Sequence, residues 1–208
     1  MFNDYRNTRY CPKLENISDK KAKVAEKVRA KHPRITDIYK YISQNNGPFK
    51  LEFINAYNGK CGYCGVSIKI LPKEMFEIDH FICKKSFTDK AAAGFVENLV
   101  LACHSCNRQK SDLLISDLNR KYLYPDAEDI QKTFIRDDKY YIRVSDECKE
   151  NEEITNFYNQ LNLVGEIHRL DYLLMNMIGL QEKIKDKPEV SSKIGEAIEK
   201  LRFKRNTM

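Results

Sequence analysis

"CHSCNRQKSD", residues 103–112, sets Cys103 and Cys106 two residues apart and then runs directly into Asn107, Arg108 and Lys110. A single C-x-x-C pair is ambiguous, because redox motifs share its spacing. The chain supplies a second pair, Cys61 and Cys64, in "NGKCGYCG" (residues 58–65), with residues 65–102 between the two. Two such pairs match a tetrahedral four-cysteine zinc site, and the glycines around the first let backbone wrap tightly about the ion. Four thiolates leave no open coordination position, so this zinc is expected to be structural.

The other three cysteines, Cys11, Cys83 and Cys148, are isolated and read as ordinary thiols. A disulfide framework is not expected. The opening "MFNDYRNTRY" has no apolar core of a secretory signal, and no stretch approaches eighteen apolar residues. A cytoplasmic location is the expectation.

Between the cysteine pairs, "MFEIDHFI" alternates Phe76, Ile78 and Phe81 and reads as a strand, and "NLVLAC" as a second, shorter one. From about His104 to Leu114 the pattern favours a helix, giving strand, long loop, strand and helix around the paired cysteines. Clamping that helix by Cys103 and Cys106 fixes where Asn107 points, one helical step of roughly 100° on. An amide oxygen held so rigidly is a candidate ligand for a hard cation. Asp79–His80, in "EIDHF", offers a carboxylate suited to Mg²⁺ beside an imidazole whose ordinary pKa suits a general base near neutrality. Asn98 is placed to orient that base through the loop.

The segment from Cys61 to Asp112, about a quarter of the chain, resembles an HNH endonuclease of the ββα-metal type. The pattern carrying the resemblance is C-x-x-C, Asp-His, Asn-Leu, then C-x-x-C-Asn-Arg-x-Lys. By matching position it implies His80 as general base, Asn98 as the central asparagine, and Asn107 as ligand of a catalytic Mg²⁺ or Mn²⁺ with Asp79. Arg108 and Lys110, just after Asn107, are then the expected phosphate contacts. His104, between two zinc ligands, is left facing solvent or phosphate. One departure is the loop "TDKAAAGF", which holds a single glycine, Gly94, where the family is often glycine-rich. The flanking arrangement is loosely similar to the HNH subunit of Septu-type anti-phage systems, which implies an ATPase subunit as partner. The rival reading from another class is a non-catalytic zinc knuckle that binds nucleic acid or protein, which has no use for Asp79, His80 and Asn107 together.

The whole chain of 208 residues is 42% apolar and 32% charged and predicts an α+β fold, mostly helical, around the central zinc-stapled unit. Three regions are expected: a basic helical region at 1–58, the nuclease unit at 59–118, and a hairpin plus helices at 119–208. Residues 1–60 hold 13 Lys and Arg against 6 Asp and Glu, whereas residues 113–208 hold 16 against 18. The basic third suits a DNA backbone or a DNA-bound partner, approached by Lys20, Lys21, Lys23 and Lys27 on a helix with Ser18 at its N-cap; the same lysines equally suit a plain solvated helix face. Ile35, Ile38, Tyr39 and Ile42 predict a second helix ending at Asn46–Gly47–Pro48, and Phe49, Phe53, Ile54 and Tyr57 a third. "KTFIRDDKYYIRV" predicts a hairpin turning at Asp137–Asp138. A long helix is predicted along Leu163, Ile167, Leu170, Leu174 and Met177, and a last one over 190–205. His32 and His168 have no motif around them and are expected to be structural.

Overall fold

The computed structural model of the chain describes residues 4–45 and 47–208. At its centre, β1 (Phe76–His80) and β2 (Leu99–Cys103) pair antiparallel, with Asp79 opposite Val100 and His80 opposite Leu99. All five residues of β2 are buried, so it reads as an unbroken apolar run, while β1 buries Phe76 and Ile78. The connection at 81–98 is built from three single 3₁₀ turns. The helix α4 (His104–Lys110) follows β2 without a loop and stops short of the expected Leu114, because Ser111 takes a positive φ of 48°.

The N-terminal helix α1 (Ile17–Lys31) packs on α3 (Pro48–Ala56), which starts on Pro48, a residue whose fixed φ suits a first helical turn. Two expectations change here. Ser18 is not the cap: Asn16 holds that position in a left-handed conformation with no capping side-chain bond. The second helix shrinks to α2 (Tyr39–Ile42), although Ile38 and Ile42 are buried. Apolar periodicity reported burial there, not helix length. Asn46, in the expected helix stop, lies outside the described residues.

Lys21 also departs from its expected place on a solvated, DNA-facing helix. Its side chain is 2% exposed, and its ammonium bonds Asp126 at 2.5 Å and the Tyr124 hydroxyl at 2.9 Å. The α1 face that carries it is turned inward. Lys23 and Lys27 are exposed, with Lys27 paired to Glu52.

Short helices α5 (Arg120–Leu123) and α6 (Ile130–Thr133) lead into the hairpin of β3 (Phe134–Arg136) and β4 (Ile142–Val144). Asp137 Oδ1 accepts from the Lys139 and Tyr141 amides and so shapes the turn, where "RDDK" predicts it. The single long helix is in fact two, α7 (Glu152–Gln160) and α8 (Glu166–Lys183). Asn162 breaks them with a φ of 48°, and Gly165 caps the second. The last helix, α9 (Pro188–Asn206), begins on its proline and lies along α8. One hydrophobic core runs from Tyr5 to Leu163 through all three regions. No helix among the described residues is long and apolar enough to cross a membrane.

His168 is buried in this packing, and its Nδ1 has no hydrogen-bond partner among the described residues. Burial, helped by Arg136, pushes its pKa down from 6.5 to about 4. The folded state therefore holds a neutral imidazole, while the unfolded chain binds a proton below pH 6.5. The stability this difference supplies is complete above pH 6.5 and is lost as pH falls toward 4. The loss should reach about 3 kcal/mol. Urea unfolding of wild type and His168→Leu across that range checks it: the wild-type curve should fall more steeply, and parallel curves would refute the assignment.

Candidate active site and zinc clamp

The four cysteine sulfurs lie within 4.8 Å of one another, and all four residues are buried. Cys64 and Cys103 are 3.8 Å apart, unbonded, which is about the edge of a tetrahedron with metal–sulfur bonds of roughly 2.3 Å. The sulfur-only donor set fits zinc and leaves no place for a substrate atom. Burial acts to raise the Cys61 thiol, but hydrogen bonds from Cys103, Cys106 and Cys64 outweigh it and hold Cys61 well below the usual thiol range. Contacts among the same sulfurs, with burial, push Cys64 and Cys106 above that range instead.

Backbone bonds shape the knuckle: the Cys61 amide donates to Val66, Gly62 to Leu101 and Gly65 to Cys61. The buried Arg6 guanidinium reaches in to the Gly62 carbonyl at 2.6 Å. Gly65 has a φ of 80°, and a Cβ there would sit 2.7 Å from the Arg6 Cα and carbonyl oxygen. Both the conformation and the backbone contact penalise a side chain, so Gly65→Ala should destabilise by roughly 2–4 kcal/mol. Equilibrium unfolding of zinc-loaded protein measures it, and a loss within experimental error would show that the knuckle relaxes freely.

Several elements converge beside the clamp on a cleft of about 600 Å³. Its walls include Glu77, Asp79 and His80 of β1, Asn107 and Arg108 of α4, Lys84 of the connecting loop, and Tyr39 and Lys50 from the N-terminal region. Asp79, His80 and Asn107 are thus brought together, as are the exposed cations Lys84 and Arg108.

Asp79 is almost buried and held from both sides. Tyr63, the residue between the first two cysteines, donates its hydroxyl to Oδ2 at 2.5 Å. Lys110 lies 3.0 Å from Oδ2 and 3.3 Å from Oδ1. Burial lifts the Asp79 carboxyl above its ordinary range, with Lys110 and Tyr63 pulling the other way. Lys110 itself has a side-chain exposure of 0%. It therefore does not stand at the surface as a phosphate contact, and that expectation is corrected. Position 110 shares the inward face of α4 with Cys106, four residues earlier.

The His80 ring packs on Tyr39, centroids 4.3 Å apart, and makes no side-chain hydrogen bond among the described residues; its Nε2 is shielded and unpartnered. Burial, with Lys84 and Lys110 adding repulsion, lowers its pKa to about 4. The imidazole is neutral at physiological pH, and the lowering makes it a weaker base than the ordinary histidine expected from the sequence. Asn98 does not touch the ring. Its Oδ1 accepts from the Ile82 amide at 2.8 Å and its Nδ2 donates to the Ile82 and Ala93 carbonyls, while its own carbonyl accepts from the Phe81 amide. Asn98 thus staples the loop after β1 and acts on His80 only through backbone.

Glu77 and Tyr39 are site residues that the sequence reading missed. Glu77 accepts from the Asn107 side-chain amide and bonds His104 Nδ1 at 3.0 Å, so His104 is a partner of this carboxylate. Strand alternation in "FEIDH" puts residues 77 and 79 on one face, which was the available signal. Tyr39 had none, lying 41 positions from His80.

The oxygen donors at this spot suit a hard divalent cation. A carboxylate has about four acceptor positions, and Tyr63 and Lys110 leave one open on Asp79, which lines the same cleft as Asn107. Residues 61–113 match the family model for HNH endonuclease. No curated protein and no solved structure matches the chain.

Proposed function

We propose, with residues 61–113 as an HNH endonuclease domain, that this chain is a metal-dependent nuclease hydrolysing phosphodiester bonds of DNA. The observation carrying this reading is the shared cleft: a neutral imidazole, the Glu77 and Asp79 carboxylates and a fixed amide face one space rimmed by Lys50, Lys84 and Arg108. A knuckle that only binds has no need of that set.

In this reading His80 accepts a proton from water, the water oxygen forms a bond to phosphorus, and the bond to the leaving 3′ oxygen breaks in line. Tyr39 packs on the imidazole at a tilt of 42°, and Asn98 fixes the strand end from which it projects. Arg108 and Lys84 draw the phosphate backbone across the cleft mouth. Asp79 and Asn107 would hold Mg²⁺ or Mn²⁺, which when bound supplies charge stabilisation at the phosphate and leaving oxygen. The zinc clamp binds no substrate. It anchors both arms on Asp79, Tyr63 from the knuckle and Lys110 from α4.

Incubating zinc-loaded protein with supercoiled plasmid tests the reading. Nicking or linearisation that needs Mg²⁺ or Mn²⁺ is expected. Retarded but uncut DNA would instead favour the binding module. Service as the nuclease subunit of a restriction or anti-phage complex beside an ATPase belongs to the same proposal and rests on resemblance alone. Copurification from a native host, with the ATPase absent from the isolate, would count against it.

A further inference from the structure

Lys110 is the one motif cation that the cleft does not use as a surface charge. Its ammonium has three N–H donors and meets three acceptors: Asp79 Oδ2 at 3.0 Å, Asp79 Oδ1 at 3.3 Å and the His80 carbonyl at 2.9 Å. The side chain is wholly buried, so no valence is left for a phosphate. From the far side, Gln160 of α7 donates its amide to the Lys110 and Gln109 carbonyls, pinning the end of α4.

We propose that Lys110 is a positioning residue, an interior ammonium that locks the Asp79 carboxylate and the His80 backbone into one unit without touching substrate. A lysine stem on α4 can span to the end of β1, where a shorter side chain would stop short and a guanidinium would need a wider slot. The bond to the His80 carbonyl fixes the peptide that follows the imidazole, and the ion pair fixes the side chain that precedes it. Tyr63 donates to the same Asp79 Oδ2, so the unit is tied both to the cysteine knuckle and to the helix that follows Cys106. Removing one partner of a buried pair leaves the other charge uncompensated, which makes the arrangement all-or-none.

The inference deepens the nuclease reading and rests on it for its kinetic arm. On plasmid DNA, zinc-loaded Lys110→Met should lower kcat roughly a hundredfold, the effect of about 1 Å of misplacement, with KM nearly unchanged. Arg108→Ala, a surface contact, should instead raise KM. A raised KM with kcat retained in Lys110→Met, or no change in either, would overturn the proposal. A second arm needs no cleavage. Lys110→Met should lower the melting temperature, and adding Asp79→Asn should recover most of the loss, because both halves of the pair are then neutral. A double variant no more stable than the single one would overturn the locking pair. Should the single variant fail to fold, a folded double variant supports the proposal and an unfolded one refutes it. Wild-type protein that cuts no DNA would sink the nuclease reading, leaving Lys110 to be judged on the stability cycle.

Discussion

Cys103→Ser protein is expected to purify without zinc and without a stable fold. Cys103 sits at the junction where β2 becomes α4, and its sulfur is one of four gathered in a buried pocket. Structural zinc contributes on the order of 10–16 kcal/mol of apparent binding free energy. The net stability of a whole domain is only about 5–15 kcal/mol. Losing the ion therefore removes as much as the domain has to lose. The damage should reach the cleft first, because Tyr63 stands between two ligands and Lys110 lies one turn beyond another. Metal analysis should find one zinc in each wild-type chain and almost none in the variant, with circular dichroism showing the collapse of ordered structure. Well-folded wild-type protein carrying less than half an equivalent of zinc would defeat the assignment.

The clamp was readable because metal coordination imposes spacing directly on sequence: sulfurs that must meet one ion leave paired cysteines. Much of the ββα unit was readable for a similar reason, since "FEIDHF" and "NLVLAC" alternate or saturate in apolar residues as half-buried and buried strands do. Charge was not readable in the same way. Lys21 and Lys110 look identical to their neighbours in a row of letters, yet each sits inside the protein on a carboxylate, Asp126 and Asp79. Nothing local distinguishes a buried ammonium from a solvated one, because the partner that permits burial lies 105 or 31 positions away. Helix lengths failed where a single residue took a left-handed conformation, as at Asn162, within an otherwise unbroken apolar stripe. Tyr39 belongs to the same class: only the packing of the N-terminal region against β1 brings it to His80.

His80→Ala is expected to reduce cleavage by about 10²–10⁴-fold, the range that a positioned general base contributes. Unlike its neighbours, His80 offers a clean measurement. Asp79→Ala would strand the Lys110 ammonium in the interior, a cost of roughly 3–5 kcal/mol, so lost activity there could reflect lost structure. Asn98→Ala would free the loop at 81–98, and Asn107→Ala would release Glu77. The His80 side chain, by contrast, is only half-buried, makes no hydrogen bond, and packs chiefly on Tyr39. Losing that ring contact should cost no more than about 0.5–1.5 kcal/mol. Zinc content should be unchanged, since the ring has no part in the clamp, and DNA affinity should hold because Arg108 and Lys84 remain. Measured side by side on zinc-loaded proteins, the variant should bind plasmid like wild type and fail to cut it. Retention of more than a few per cent of the wild-type rate would remove His80 from the role of base.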